Sequence, residues 1–209
     1  ESLEKYELPF VPRILEEFFL NDLSRWYIKT IRDRTWISSE DADKETALQV
    51  LYVVLERLIK LMAPVAPLLA EHLYQENLKQ FMKKESVHFF EWPESGETNE
   101  NLEGEMKMAQ YAVEAALEAR QEANANLRHP LDELVVMAKK GEECLLECDL
   151  ELQDLIAKMT NVKKIKFVDK FEGGDKYMEG KALGTIVWLN IHPSEETRQE
   201  AVVRDLMRK

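Results

Sequence analysis

Apolar residues recur at 47, 48, 51, 54, 55, 58, 59 and 62 in the run ALQVLYVVLERLIKLM. That 3.6-residue period, held for four turns, predicts an amphipathic helix. Upstream, Pro9 and Pro12 punctuate the start, and Pro12 suits the first turn of a helix running to about Trp36. SSEDAD at 38–43 is a polar break that ends in good N-cap residues. Pro64 and Pro67 end or kink the second helix, and PLLAEHLYQENLKQF begins a third with proline at an early position. Three amphipathic helices on short joints must bury their stripes on one another, which predicts a helical bundle over residues 1–100.

The stretch SVHFFEWPESGETNENLEG (86–104) carries Pro, Gly, Ser and Asn without a helical period and reads as a joint between domains. A long Ala-, Glu- and Met-rich helix is expected at about 102–127. After Pro130 the period changes. LVVMAK (134–139), KKIKFVDK (163–170) and GTIVWLNI (184–191) read as strands, and LELQDLIAKM (150–159) as a helix between the first two. FEGGDKYMEG, which holds Gly173-Gly174, reads as a turn between strands and not as a phosphate cradle. SEETRQEAVVRDLMRK (194–209) has a good helix start and no stop signal, the pattern of a piece of a longer chain. The fold class expected is therefore mainly α: a helical bundle followed, over 101–209, by a long helix and a small α+β module.

Composition narrows the class. Of 209 residues only seven are Gly and seven Pro, which disfavours a loop-rich all-β fold. The 45% hydrophobic and 33% charged content suits a folded globular chain, and no apolar run approaches the ~18 residues of a membrane span. The opening ESLEKYELPF has no basic n-region or apolar h-region, so no secretory signal is expected. Two cysteines cannot build a disulfide framework, which makes a reducing cytoplasm the expected location. Twenty-eight basic against forty acidic residues give −12, so nucleic acid would have to be held by a local patch and not by bulk charge.

Catalytic motifs are missing from the chain: there is no Gly-rich phosphate loop, Gly-x-Ser-x-Gly turn or His-Glu-x-x-His. His72, His88, His129 and His192 are scattered, and His72 reads as a structural histidine near its helix's apolar stripe. Cys144 and Cys148 lack a partner pair for zinc, so no metal site and no catalytic residue are assigned. Glu142-Glu143 and Glu195-Glu196 read as solvated helix-start charges. One stretch differs. NDLSRWYIKTIRDRTW (21–36) sets Arg25, Lys29, Arg32 and Arg34 against the single acid Asp33 over 25–34. On a helix Arg25, Lys29, Arg32 and Trp36 fall within about 60° of one another. Phe19, Leu20, Leu23, Trp26, Tyr27 and Ile31 form the opposite, core-facing arc. Cations that hold phosphates beside a ring that can stack on an unpaired base suit single-stranded nucleic acid. A charged solvated face with Trp36 folded under the helix end fits the same spacing. Arg34 points into the apolar arc and reads as structural, with Asp22, Asp33 or an acid of the second helix as partner.

These residues also carry a resemblance. SRWYIKTIRDRTW at 24–36 resembles the signature helix of the anticodon-binding domain of isoleucyl-tRNA synthetases, where valyl and leucyl relatives usually differ. LMAPVAPLLAEHLYQ (61–75), SVHFFEWPE (86–94) and EARQEANANLRHPLDEL (118–134) are similar to further family blocks in the family's order. The resemblance spans residues 1 to about 135 and is looser beyond. It implies a fragment of an enzyme that joins isoleucine to tRNA-Ile through an aminoacyl-adenylate made from ATP with Mg. The family's His-Ile-Gly-His and Lys-Met-Ser-Lys-Ser signatures and its editing domain are absent from this sequence. The fragment is then expected to be non-catalytic and without a cofactor of its own. Its expected partners are the tRNA-Ile anticodon arm and the parent enzyme's catalytic domain, with no DNA and no membrane. The contact residues implied are Arg25, Trp26, Lys29, Arg32 and Trp36, plus Arg128, for which a salt bridge to the first domain is the competing role. A helical protein-interaction scaffold, or a valyl- or leucyl-type module, are the alternatives.

Overall fold

The computed structural model describes residues 4–5, 9–36, 42–137 and 149–207. The chain divides into two compact units, Glu1–Glu97 and Thr98–Lys209.

The first unit is helical. Right-handed helical backbone runs from Phe10 through three stretches, α1 (Phe10–Glu17), a wide-turned stretch (Phe18–Tyr27) and α2 (Ile28–Thr35). Pro12 lies in the first turn, where its missing N–H breaks no bond. In the middle stretch the backbone N–H groups reach five residues back, as from Ile28 to the Leu23 carbonyl, instead of four. Helix α3 (Lys44–Met62) buries Ala47, Leu58 and Ile59. Pro64 and Pro67 separate it from α4 (Pro67–Leu73), whose first residue is Pro67 and which continues through Tyr74–Leu78 and Lys79–Phe81.

The core of this unit is built on the α3–α4 corner: Ile59, Ala63, Ala70, Tyr74, Leu78 and Val87 are buried together. Its polar seams are closed. Tyr74 donates its hydroxyl to the Lys84 carbonyl at 2.6 Å, and Gln75 donates to the Glu85 carbonyl at 2.6 Å. Glu71 accepts from the Ser86 hydroxyl at 2.8 Å and from the Val87 N–H at 3.0 Å. Hydrogen bonds from Gln75, Ser86 and Val87 hold the Glu71 carboxyl below the usual range. Segment 84–87 is thereby fastened along α4. His72 is exposed, so its expected structural role is not borne out: the core side of α4 is taken by Ala70 and Tyr74.

The second unit is α+β. Helix α5 (Glu100–Glu122) starts at Asn99, whose side chain accepts the Leu102 N–H. It stops earlier than the expected residue 127. Asn124 takes a left-handed φ of 53°, the Ala125 N–H returns to the Arg120 carbonyl and the Asn124 N–H to that of Gln121. This is a Schellman stop, built on asparagine in place of glycine. Strands β1 (Leu131–Met137), β2 (Val162–Val168), β3 (Tyr177–Ala182) and β4 (Thr185–Asn190) form one mixed sheet in the order β2-β1-β4-β3. β1 and β2 are parallel, joined by a crossover that contains α6 (Leu150–Thr160). β4 runs antiparallel to both β1 and β3.

Two departures from expectation lie in 171–184. The turn lies at 174–177, closed by the Tyr177 N–H on the Gly174 carbonyl, with Gly173 just before it at φ +69° against the Trp188 ring, and YMEGKA beyond it is a strand and not a turn. β3 and β4 are joined by Leu183 and Gly184, both at positive φ (44° and 94°). Two such residues make the tight hairpin that matches strand twist. A leucine at the first of them hides the turn signal usually carried by Asn or Asp. Cys144, Cys148 and Glu142-Glu143 lie outside the described residues.

The last helix, α7 (Glu195–Leu206), is pinned to the start of β1. Asp132 accepts from the Ser194 backbone N–H, the Ser194 hydroxyl at 3.1 Å and the Thr197 hydroxyl. Desolvation pushes the Asp132 carboxyl up, but the bonds from Thr197 and Ser194 outweigh it and leave its pKa lowered. Lys163 lowers Glu200 in the same helix. Both groups therefore stabilise the fold above their ordinary pKa of about 4, and that contribution is lost as pH falls through their lower folded values. The urea midpoint of the second unit is expected to drop between about pH 5 and about pH 2, with a shallower drop in Asp132→Asn. Identical slopes in the two proteins would refute this role for Asp132.

Among the described residues, no helix is long and apolar enough to cross a membrane.

Candidate nucleic-acid interface

Four of the six expected contact residues are exposed along the α1–α2 run and its end. Leu23 and Ile31 are buried at 2% exposure each, which fixes the inward face. Tyr27 adds to it by donating its hydroxyl to the Ala47 carbonyl of α3 at 3.3 Å. Arg25, Lys29 and Arg32 are exposed, and Trp36 stands 64% exposed at the end of α2. Lys29, Arg32 and Trp36 follow one another at steps of three and four, the spacing of a single helix face. Trp36 itself leaves the helix at ψ 147°, and its carbonyl accepts from the Lys44 ammonium at 2.8 Å. That bond ties the helix end to the start of α3. Arg25 donates to the Asn21 side chain one turn back, at 3.2 Å.

The other expected residues are placed differently. Trp26 is half-buried on the inward side, as its period predicts. Arg128 is exposed in the second unit, in the loop after α5, where its N–H donates to the Asn126 side chain. Arg34 is half-buried with its Nε buried and without a hydrogen-bond partner among the described residues. The expected core arc holds only in part, because Phe19 and Leu20 are exposed at 44% and 38%. Wide turns through 18–27 advance each residue by less than the α-helical angle, so these two positions rotate out of the inward face. Phe10, Ile14 and Phe18, spaced by four, are exposed as well.

A second concave feature escaped the sequence reading. A cavity of about 230 Å³ lies between the end of α3 and segment 87–92, lined by Lys60, Pro64, Val87, His88, Glu91 and Trp92 among others. Phe90 forms one wall, with the Lys60 ammonium 4.4 Å from its ring centre and that of Lys84 at 5.1 Å. The only signal in the sequence was the density of rings in HFFEW.

The family of the first unit is decided by comparison. Residues 1–136 match the family described as the anticodon-binding domain of tRNA ligase. The chain belongs to that family. Isoleucine–tRNA ligases match it along most of its length. That of Methanopyrus kandleri is 35% identical over 82% of this chain, that of Thermococcus kodakarensis 34% over 93%, and that of Archaeoglobus fulgidus 38% over 82%. The matched region is 16%, 19% and 17% of those three proteins, so the chain spans less than a fifth of their length.

Proposed function

We propose that this chain is the part of an isoleucine–tRNA ligase that grips and reads the anticodon arm of tRNA-Ile. The observation that carries this reading is a coincidence of place. The anticodon-binding family match covers the unit in which Arg25, Lys29, Arg32 and Trp36 stand exposed along one helix. An anticodon loop offers phosphates to the three cations and splayed bases to the indole. In this reading the chain carries no catalytic residue. Activation of isoleucine with ATP and Mg, and its transfer to tRNA, belong to a catalytic body in the cytoplasm. The exposed Phe10, Ile14 and Phe18 give that body an apolar stripe to cover.

The test is fluorescence anisotropy of the chain with labelled tRNA-Ile at low salt, beside the same tRNA with a changed anticodon. The native chain is expected to bind the first tRNA at least several-fold better. Arg25→Ala with Arg32→Ala should weaken binding by roughly tenfold or more and flatten the dependence of log K on log salt by about 1 to 2. Against a net charge of −12, binding in the micromolar range satisfies the reading. Equal binding to every tRNA, unchanged by the double substitution, would overturn it.

A further inference from the structure

We infer that the cavity between α3 and segment 87–92 is a second RNA subsite, one that takes a single unpaired base stacked on Trp92. The inference rests on the anticodon-arm reading but uses none of the residues of the α1–α2 face. Three observations carry it.

The first is that the aromatic rings are presented outward by a fastened segment. Tyr74, Gln75 and Glu71 hold residues 84–87 along α4, and the Lys84 ammonium donates to the Phe89 carbonyl at 2.5 Å. Val87 is driven into the core at 3% exposure, and Phe90 packs edge-on against Tyr74 at 5.6 Å. With those two side chains committed inward, Phe89 and Trp92 are left 62% and 53% exposed. Large rings that are exposed on an otherwise ordered backbone are the stacking platforms of single-strand recognition.

The second is size. At about 230 Å³ the cavity lies below the ~300 Å³ of a pocket for a drug-sized ligand, and it suits one planar ring system.

The third is the polar lining. Glu91 offers a carboxylate that can accept from the exocyclic amino group of a base, while Lys60 and His88 offer donors to a ring nitrogen or carbonyl. The Lys60 ammonium is already paired with Glu56 across one helical turn and lies over the Phe90 ring, so it is held at the cavity wall. A lone phosphate would meet the Glu91 charge. A base with both donors and acceptors on its edge meets partners of both kinds.

The experiment uses the whole chain and a synthetic RNA stem-loop with the sequence of a tRNA-Ile anticodon arm, carrying 2-aminopurine at one loop position at a time. One position is expected to be quenched on binding, and Trp92→Ala should restore its fluorescence and weaken binding by about tenfold, within the range measured for single stacked bases. Trp92→Phe should keep most of both. Glu91→Gln, which leaves the stack intact, should change which base is preferred at the quenched position. Circular dichroism of each variant checks that the helices remain. If binding needs Arg25 and Arg32 but no probe position responds to Trp92 or Glu91, the subsite is overturned and the anticodon-arm reading stands. If the native chain binds no stem-loop at all, both are overturned.

Discussion

Arg120→Ala is expected to lower the stability of the second unit by roughly 3–5 kcal/mol, the largest single-residue effect in the molecule. Arg120 is 2% exposed at the end of α5, and its guanidinium donates to four carbonyls. Nε reaches Thr160 at 3.0 Å, Nη1 reaches Asn126 at 2.9 Å and His129 at 3.1 Å, and Nη2 reaches Asn161 at 2.9 Å. These acceptors are the end of α6 and the loop that leads into β1, so one side chain joins two chain segments, beside the direct bond from the Asn161 side chain to the Leu127 carbonyl at 2.8 Å. Burial pushes the Arg120 pKa down to about 10, still well above neutrality, so the cation persists. Removing it strands the Thr160 and His129 carbonyls, while that of Asn126 keeps the His129 N–H and that of Asn161 the Leu131 N–H. Each stranded carbonyl costs about 1–3 kcal/mol when buried without a partner, offset in part by entering water. Arg120→Lys keeps the charge but not the planar fork, and should recover less than half of the loss. The measurement is urea unfolding followed by circular dichroism, with amide exchange at Leu131 as the local readout. A loss below about 1 kcal/mol would show that the carbonyls find other donors and that this account of the loop is wrong.

Gly180→Ala should be nearly as damaging. A methyl group on Gly180 would lie 2.0 Å from the Ala115 carbonyl oxygen and 3.0 Å from the Ala119 methyl, both on α5. Neither neighbour is the free end of a flexible side chain, so α5 must lift from β3. The contact is close because α5 lays Ala109, Ala112, Ala115, Ala116 and Ala119 against the sheet, all fully buried. Overpacking of this kind costs typically 1–3 kcal/mol, and here the upper end is expected because the clash is with backbone. The melting temperature of the second unit should fall by roughly 12 °C at 3 kcal/mol. Shortening the partner gives the control: Ala115→Gly cannot rescue a clash with the Ala115 carbonyl, whereas a rescue would place the obstruction in the side chain and refute the argument. Gly184→Ala, at an open hairpin tip with φ +94°, should be penalised by backbone strain alone.

Most of the helices could be read from period and punctuation, because the signals that define them are local. Pro12, Pro67 and Ser194 mark starts without reference to the rest of the chain, and the stripe 47–62 marks a face that is buried at Ala47, Leu58 and Ile59 although Leu48 is 45% exposed. The strands β1, β2 and β4 were legible for the same reason, being short β-branched runs bounded by turn residues. β3 was not. YMEGKA lacks an alternating apolar pattern because Gly180 must be small against α5 and because Tyr177, Glu179 and Lys181 lie on the other face. There Tyr177 donates to Glu133 at 2.7 Å, which pushes the tyrosine up to about 12 while Lys166 and Tyr177 hold the Glu133 carboxyl down. A strand whose inward residue is glycine and whose outward residues are charged cannot be found from hydropathy.

The exposure of Arg25, Lys29 and Arg32 was likewise within reach of the sequence, since helical spacing separates them from Leu23 and Ile31, whereas that of Trp36, for which the same spacing also allowed a place under the helix end, was decided by the structure. The fate of Phe19 and Leu20 was not, because a stretch of wide turns changes the angle per residue and nothing in FFLNDLSRWY announces it. By itself, then, the sequence determined the class of fold, the helix boundaries set by proline and capping residues, and a cationic face on one helix. Tertiary structure alone decided where Arg120 finds its carbonyls, why residue 180 must lack a side chain, and that Lys60 and Trp92, thirty-two residues apart, face one cavity. The physical division is one of range. Capping, period and proline sterics act within a turn or two of chain, whereas desolvation, close packing and the shape of a cavity depend on residues that only the folded chain brings together.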